Sequence, residues 1–150
     1  IERDVQIRFI EFMPLDTDRS WQTENVLSGK TIRATIEDVF GPLTPVTRPH
    51  ASQPATDYVL PSGSKIGIIE SVTEPFCQAC DRIRLTADGA IRNCLFASDE
   101  FSLRDLIRSG ASDDELVAQF RLAIEAKAAG HGIGDASFSP PDRPMYSIGG

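Results

Sequence analysis

Three cysteines, Cys77, Cys80 and Cys94, constrain this 150-residue chain more than any other feature. Cys77-Gln78-Ala79-Cys80 sets two thiols on one tight loop. Cys94 is distant in sequence, but Arg82 to Leu95 reads as a β-hairpin. Ile83 and Leu85 alternate with Arg82 and Arg84, and Asp88-Gly89 is a strong turn signal. With the turn centred there, residue 94 faces residue 82 or 83. Neighbouring strands lie about 5 Å apart, so the hairpin returns Cys94 beside the C-x-x-C loop. The three sulfurs can then converge on one point.

Soft thiolates select zinc, copper(I) or iron–sulfur clusters. A structural zinc site takes four protein ligands. Here the fourth would be His50 or His131, and neither stands at zinc-finger spacing. A [4Fe–4S] cluster ordinarily takes four cysteines. With three, one iron stays open and can bind a substrate as a Lewis acid. The remaining reading is an unliganded or disulfide-exchanging C-x-x-C with a buried Cys94. A redox role would need a depressed thiol pKa at an exposed site, and no strong helix follows the motif. Arg82 and Arg84 share strand parity and point to one face, and Arg92 lies on the returning strand. Such guanidinium groups beside an open metal make an anion clamp, because arginine offers planar, bidentate donors to phosphate. The bland alternative is a solvated strand face.

Composition narrows the class. Hydrophobic content of 41% and charged content of 25% suit a globular domain. No apolar run approaches the roughly 20 residues that cross a bilayer, and the charged start, Ile1-Glu2-Arg3-Asp4, has no signal-peptide h-region. The odd cysteine count argues against a secreted disulfide framework. A cytoplasmic location without membrane association is the expectation. The net charge of −7 argues against non-specific nucleic-acid binding, although a few local arginines can still hold a phosphate-bearing small molecule.

The rest of the chain reads as mixed α/β. Val5 to Met13 is expected to be a strand buried on both faces, as in a parallel sheet or barrel. Arg8 and Glu11 are charges inside it, costly unless paired or functional. A helix is expected over Thr31 to Phe40, stopped by Gly41-Pro42. The loop Pro42 to Pro54 is a plausible subdomain boundary. Strands follow at Tyr58 to Leu60 and Lys65 to Val72. Leu103 to Arg108 is a short helix. Ser112 to Ala129 is a longer one, with a Ser112/Glu115 capping box, a buried stripe of Leu116, Phe120, Ala123 and Ile124, and Gly130 as its C-cap. The tail from His131 is rich in glycine and proline.

Phe76-Cys77-x-x-Cys80-x-Arg82-x-Arg84-Leu85-Thr86-x-Asp88-Gly89, followed by Cys94-Leu95-Phe96, resembles the C-terminal cluster motif of the GTP 3′,8-cyclase family, the molybdenum-cofactor biosynthesis protein A family. Arg8-Phe9-Ile10-Glu11-Phe12-Met13-Pro14 looks like that family's last barrel strand. Lys127-x-x-Gly130-His131 and the terminal Gly149-Gly150 are also similar.

The resemblance spans essentially the whole chain. It implies that Cys77, Cys80 and Cys94 hold a [4Fe–4S] cluster whose open iron contacts the guanine of GTP. It implies that Arg82, Ile83 and Arg84 bind GTP, with Arg8 near the reacting substrate. Met13 would line the S-adenosylmethionine site, and Gly149 and Gly150 would let the tail enter the active site. The implied fold is the terminal strand and helix of a partial (β/α) barrel over residues 1–45. A small α+β domain carrying the cluster and GTP would occupy 46–150.

The implied reaction is a lyase-type radical cyclisation. A deoxyadenosyl radical takes hydrogen from C3′ of GTP. The C3′ radical then attacks C8, on the way to (8S)-3′,8-cyclo-7,8-dihydroguanosine 5′-triphosphate for the molybdenum cofactor. The C-x-x-x-C-x-x-C motif that holds the S-adenosylmethionine-cleaving cluster is absent here. The chain is therefore expected to be the C-terminal piece of a longer protein, inactive alone and partnered by an N-terminal barrel half. A homodimer is compatible with the family. The competing expectation is a zinc-stabilised binding domain with a Cys₃-His site.

Overall fold

A computed structural model describes residues 5–15 and 20–148. The chain is mixed α/β with two sheets and divides into two compact units. The first comprises Ile1–Met13 and Gln22–Cys80; the second comprises Pro14–Trp21 and Asp81–Gly150.

The first unit holds a four-stranded sheet in the order β1-β4-β3-β2. β1 (Ile7–Ile10) runs parallel to β4 (Lys65–Ile69), with Phe9 opposite Ile68. β3 (Thr56–Val59) is antiparallel to β4, and the short β2 (Thr44–Pro45) closes the other edge. Helix α1 (Gly29–Phe40) connects β1 to this group and packs on β1 and β4. Its N-cap is Ser28, whose hydroxyl accepts from the Thr31 amide, and Gly41 ends it at φ +88°. Ile32, Leu43, Tyr58, Ile66 and Ile68 form the core, with Phe9, Ile36 and Leu60 against it. Burying one such side chain stabilises by about 2–3 kcal/mol.

The expected two-sided burial of the first strand is not observed. Ile7 and Ile10 are 57% and 51% exposed. Among the described residues β1 lies at the sheet edge with β4 as its one neighbour, so Phe9 packs on the core while Ile7 and Ile10 stay exposed. β2 and β3 flank the proline-rich loop and pair in one sheet with β1 and β4.

The second unit is built on the antiparallel sheet β5 (Arg84–Leu85), β6 (Ala90–Arg92) and β7 (Phe101–Ser102). The hairpin turns at Asp88-Gly89. Thr86 exchanges hydrogen bonds with Ala90, and Gly89 sits at φ +85°, where glycine alone is unstrained. The Gly89 carbonyl accepts from the Leu103 and Arg104 amides at 2.9 Å each, which locks the turn to the start of α2 (Arg104–Arg108). Helix α3 (Asp113–Glu125) has the expected capping box of Ser112 and Glu115, and it packs on β6 and β7.

Ile91, Leu103 and Ala123 are the core here, with Phe101 and Leu116 against it. Two expectations fail. Phe120 and Ile124 are 37% and 52% exposed, because α3 meets a sheet only a few residues wide and buries a narrow stripe. The helix also ends at Glu125 with Ala126 as C-cap, a turn before Gly130.

Candidate functional site

Among the described residues, each predicted site residue is placed by a specific local structure. In the first unit, Cys77–Ala79 is a 3₁₀ turn in which the Cys80 amide donates to the Cys77 carbonyl at 3.1 Å. A turn of this kind keeps its first and fourth residues close, so Cys77 and Cys80 share one small patch. Both side chains are half-buried, and none of the three cysteines is in a disulfide.

The segment leading into this turn is tied down by Glu11. Its carboxylate is 1% exposed. It accepts from the Gly29, Val72 and Thr73 amides at 2.8 Å each and from the Thr73 hydroxyl at 2.5 Å. Burial pushes the Glu11 carboxyl up, but these four bonds outweigh it and hold the pKa below the ordinary value. The charge that looked costly in the strand is satisfied, and it joins the N-terminus of α1 to the segment preceding Cys77.

Arg8 lies on the exposed edge strand opposite Gly67. A Cβ at Gly67 would come within 3.0 Å of the Arg8 side chain, so the missing side chain lets the arginine cross the sheet face. Met13 follows β1 and is half-buried. His50 is exposed in a turn.

In the second unit the hairpin register pairs Arg84 with Arg92 and Leu85 with Ile91. Continued past its last pair, that register sets residue 94 against residue 82, as the turn position predicted. Arg82 and Arg84 are half-buried with the more exposed Ile83 between them, the alternation expected of one strand face. Cys94 is half-buried, and the Phe96 amide points at its sulfur at 3.5 Å. Amide hydrogen bonds to sulfur are one means by which proteins tune iron–sulfur centres. His131 accepts the Ile133 amide through Nδ1 and packs edge-on against Phe96 at 5.1 Å.

Arg92 is engaged inside the second unit instead of facing a ligand. It is 2% exposed and bonds to the Glu100 carboxylate at 2.7 Å and to the Ala97 carbonyl. Sequence position put it on the right strand, but the opposite carboxylate claims it. Glu100 also receives Arg143, which forks onto Asp88 at 2.8 and 3.2 Å. Arg143 holds the Asp88 carboxyl well below the usual carboxylate range. This network pins the tail to the hairpin turn. It went unseen in the sequence, where the isolated charges carry no signal of their pairing.

The donor set fits a thiolate-held iron–sulfur cluster: three soft ligands outside any disulfide, each half-buried, one with an amide directed at sulfur. Cys77 and Cys80 belong to the first unit and Cys94 to the second. Among the described residues no three His, Cys, Asp or Glu side chains already stand as a metal-holding group. Gly149 and Gly150, expected to form the active-site tail, lie outside the described residues. Also among the described residues, no helix is long and apolar enough to cross a membrane.

The fold and its cysteines define a mixed α/β domain with three thiols outside any disulfide. Comparison with known proteins gives the family. The description of Molybdenum Cofactor Synthesis C matches residues 5–133, and the chain belongs to that family. It is 48% identical over 153 residues to a GTP 3′,8-cyclase of Rhodopirellula baltica and 47% identical over 155 residues to one of Mycolicibacterium smegmatis. It is 44% identical over 151 residues to one of Streptomyces coelicolor. In the first two cases all of this chain aligns with 43% of the relative's length, and in the third with 44%. The chain corresponds to the C-terminal part of these proteins.

Proposed function

We propose that this chain is the substrate-holding, C-terminal part of a GTP 3′,8-cyclase of molybdenum-cofactor biosynthesis, active only with an N-terminal barrel half that binds S-adenosylmethionine and a second [4Fe–4S] cluster. The observation that carries this reading is the alignment of the entire chain, at 48% identity, with a protein of that name. Cys77, Cys80 and Cys94 hold a [4Fe–4S] cluster. When bound, that cluster supplies an open iron as a Lewis acid for the guanine base.

The chain's own residues bind and orient. Arg82 and Arg84, on one half-buried strand face, offer planar cationic donors to the anionic and polar groups of GTP. Ile83 lines the same stretch. Met13, three residues past β1, lines the S-adenosylmethionine site, which suits the rule that barrel sites lie beyond the C-terminal ends of strands. Arg8 lies near the substrate. Gly149-Gly150 would let the tail enter the active-site pocket, since residues without side chains fit close to a ligand. Placement of the ribose and exclusion of water are the protein's part, because the cofactors carry the hard chemistry.

The test is anaerobic reconstitution with iron and sulfide, followed by metal and sulfide analysis and visible absorption with and without GTP. About four iron atoms per 150-residue chain are expected, with a spectrum that GTP perturbs. One zinc per chain without sulfide would overturn this reading and leave a structural Cys₃-His site.

A further inference from the structure

Lys127 follows the end of α3 and is only half-buried. Yet its ammonium does not simply face water. It donates to the carbonyl of Arg82 at 2.9 Å and also to the carbonyl of Asn93. These two residues stand on opposite strands of the hairpin, just beyond its last ladder pair, Arg84 with Arg92. Past that pair no ladder bond of β5 and β6 fixes the separation of the two chains. The Asn93 carbonyl belongs to the peptide that carries the Cys94 nitrogen, and the Arg82 carbonyl to the peptide that leads into Ile83. Asn93, 4% exposed, adds a bond from its Nδ2 to the Ala123 carbonyl at 3.0 Å. The end of α3 thus grips the mouth of the hairpin from one side.

We propose that Lys127 is a positioning residue that fixes the third cysteine relative to the arginine strand. It sets the peptide plane before Cys94 and the one after Arg82 with a single cation. A lysine gives up rotamer freedom when it is held in one geometry, and bonds from a charged donor to carbonyls are stronger than neutral ones. The inference rests on the proposed cluster and GTP roles for its functional meaning, while its geometric content can be tested without either.

The variants are Lys127→Met, which keeps the aliphatic stem but removes the donors, and Lys127→Arg, whose fork can reach two carbonyls. The first readout is the alkylation rate of each thiol in the metal-free 150-residue chain, resolved by peptide mass. Lys127→Met is expected to speed Cys94 about tenfold, the factor that corresponds to losing one charge-assisted bond. Cys77 and Cys80 should keep their rates, and Lys127→Arg should restore Cys94. Equal acceleration of all three thiols would show plain unfolding, and no change at Cys94 would show no grip; either result overturns the proposal. The second readout is the whole protein that carries this chain, prepared anaerobically. There Lys127→Met is expected to raise the KM for GTP while deoxyadenosine formation continues. If wild-type protein holds no iron at the three cysteines, the proposed function fails, and the alkylation result still decides the role of Lys127.

Discussion

Glu11 shows how one residue can decide a local structure. A carboxylate 1% exposed in an apolar strand would be prohibitive alone. Four donors make it a joint between α1 and the segment leading to Cys77. Glu11→Ala is expected to destabilise the chain by about 2–3 kcal/mol, measured by urea unfolding at neutral pH, because several part-buried donors lose their acceptor at once. The folded pKa lies below the ordinary 4.5. Its contribution is therefore complete above the unfolded value and is lost as pH falls through the folded one. Glu11→Gln should flatten that acid limb of the stability curve; an unchanged limb would mean other carboxylates carry it. Glu70 has the opposite sign. Burial, then the nearby Glu74 charge, raises its pKa, so its contribution is present at low pH and is lost as pH rises through the folded value.

At the scale of elements, the hairpin β5–β6 places the most candidate residues. Its turn residues, its register and the return of residue 94 toward residue 82 were all legible from Asp88-Gly89 and the alternation beside it. The lock between that turn and α2 was not, since it depends on backbone amides that any sequence possesses. At Gly89 a Cβ would come within 2.9 Å of the Arg104 side chain, in a conformation that already disfavours other residues. Gly89→Ala should cost about 1–3 kcal/mol and lower the thermal midpoint. A wild-type midpoint would show that the turn relaxes freely. The capping box made the start of α3 equally legible. Its buried stripe was not, because the width of the stripe depends on how much sheet lies beneath it.

At the scale of the whole molecule, the proposed function divides labour between this chain and the rest of the longer protein that its relatives represent. The arginine strand then serves substrate placement alone. In the full-length protein, replacing both Arg82 and Arg84 with Ala is expected to abolish cyclisation of GTP while deoxyadenosine formation persists at least in part. Product analysis showing normal cyclisation would remove the role assigned to them.

Sequence alone determined the family, because motif residues, spacing and turn residues are local properties written in neighbouring letters. It also determined that a hairpin would return Cys94, since a tight turn fixes strand register. Tertiary structure decided which charges are partners. Arg92 could join a clamp or a carboxylate, and only the approach of Glu100 settled it. Glu11 could be a liability or a joint, and only the convergence of α1 and the segment after β4 made it the latter. Lys127 belongs to a family-like segment, but its neighbours do not say what it holds; its two carbonyl partners meet it only because α3 ends beside the hairpin mouth. Electrostatic and hydrogen-bond energies fall steeply with distance, and distance between remote residues is what folding sets.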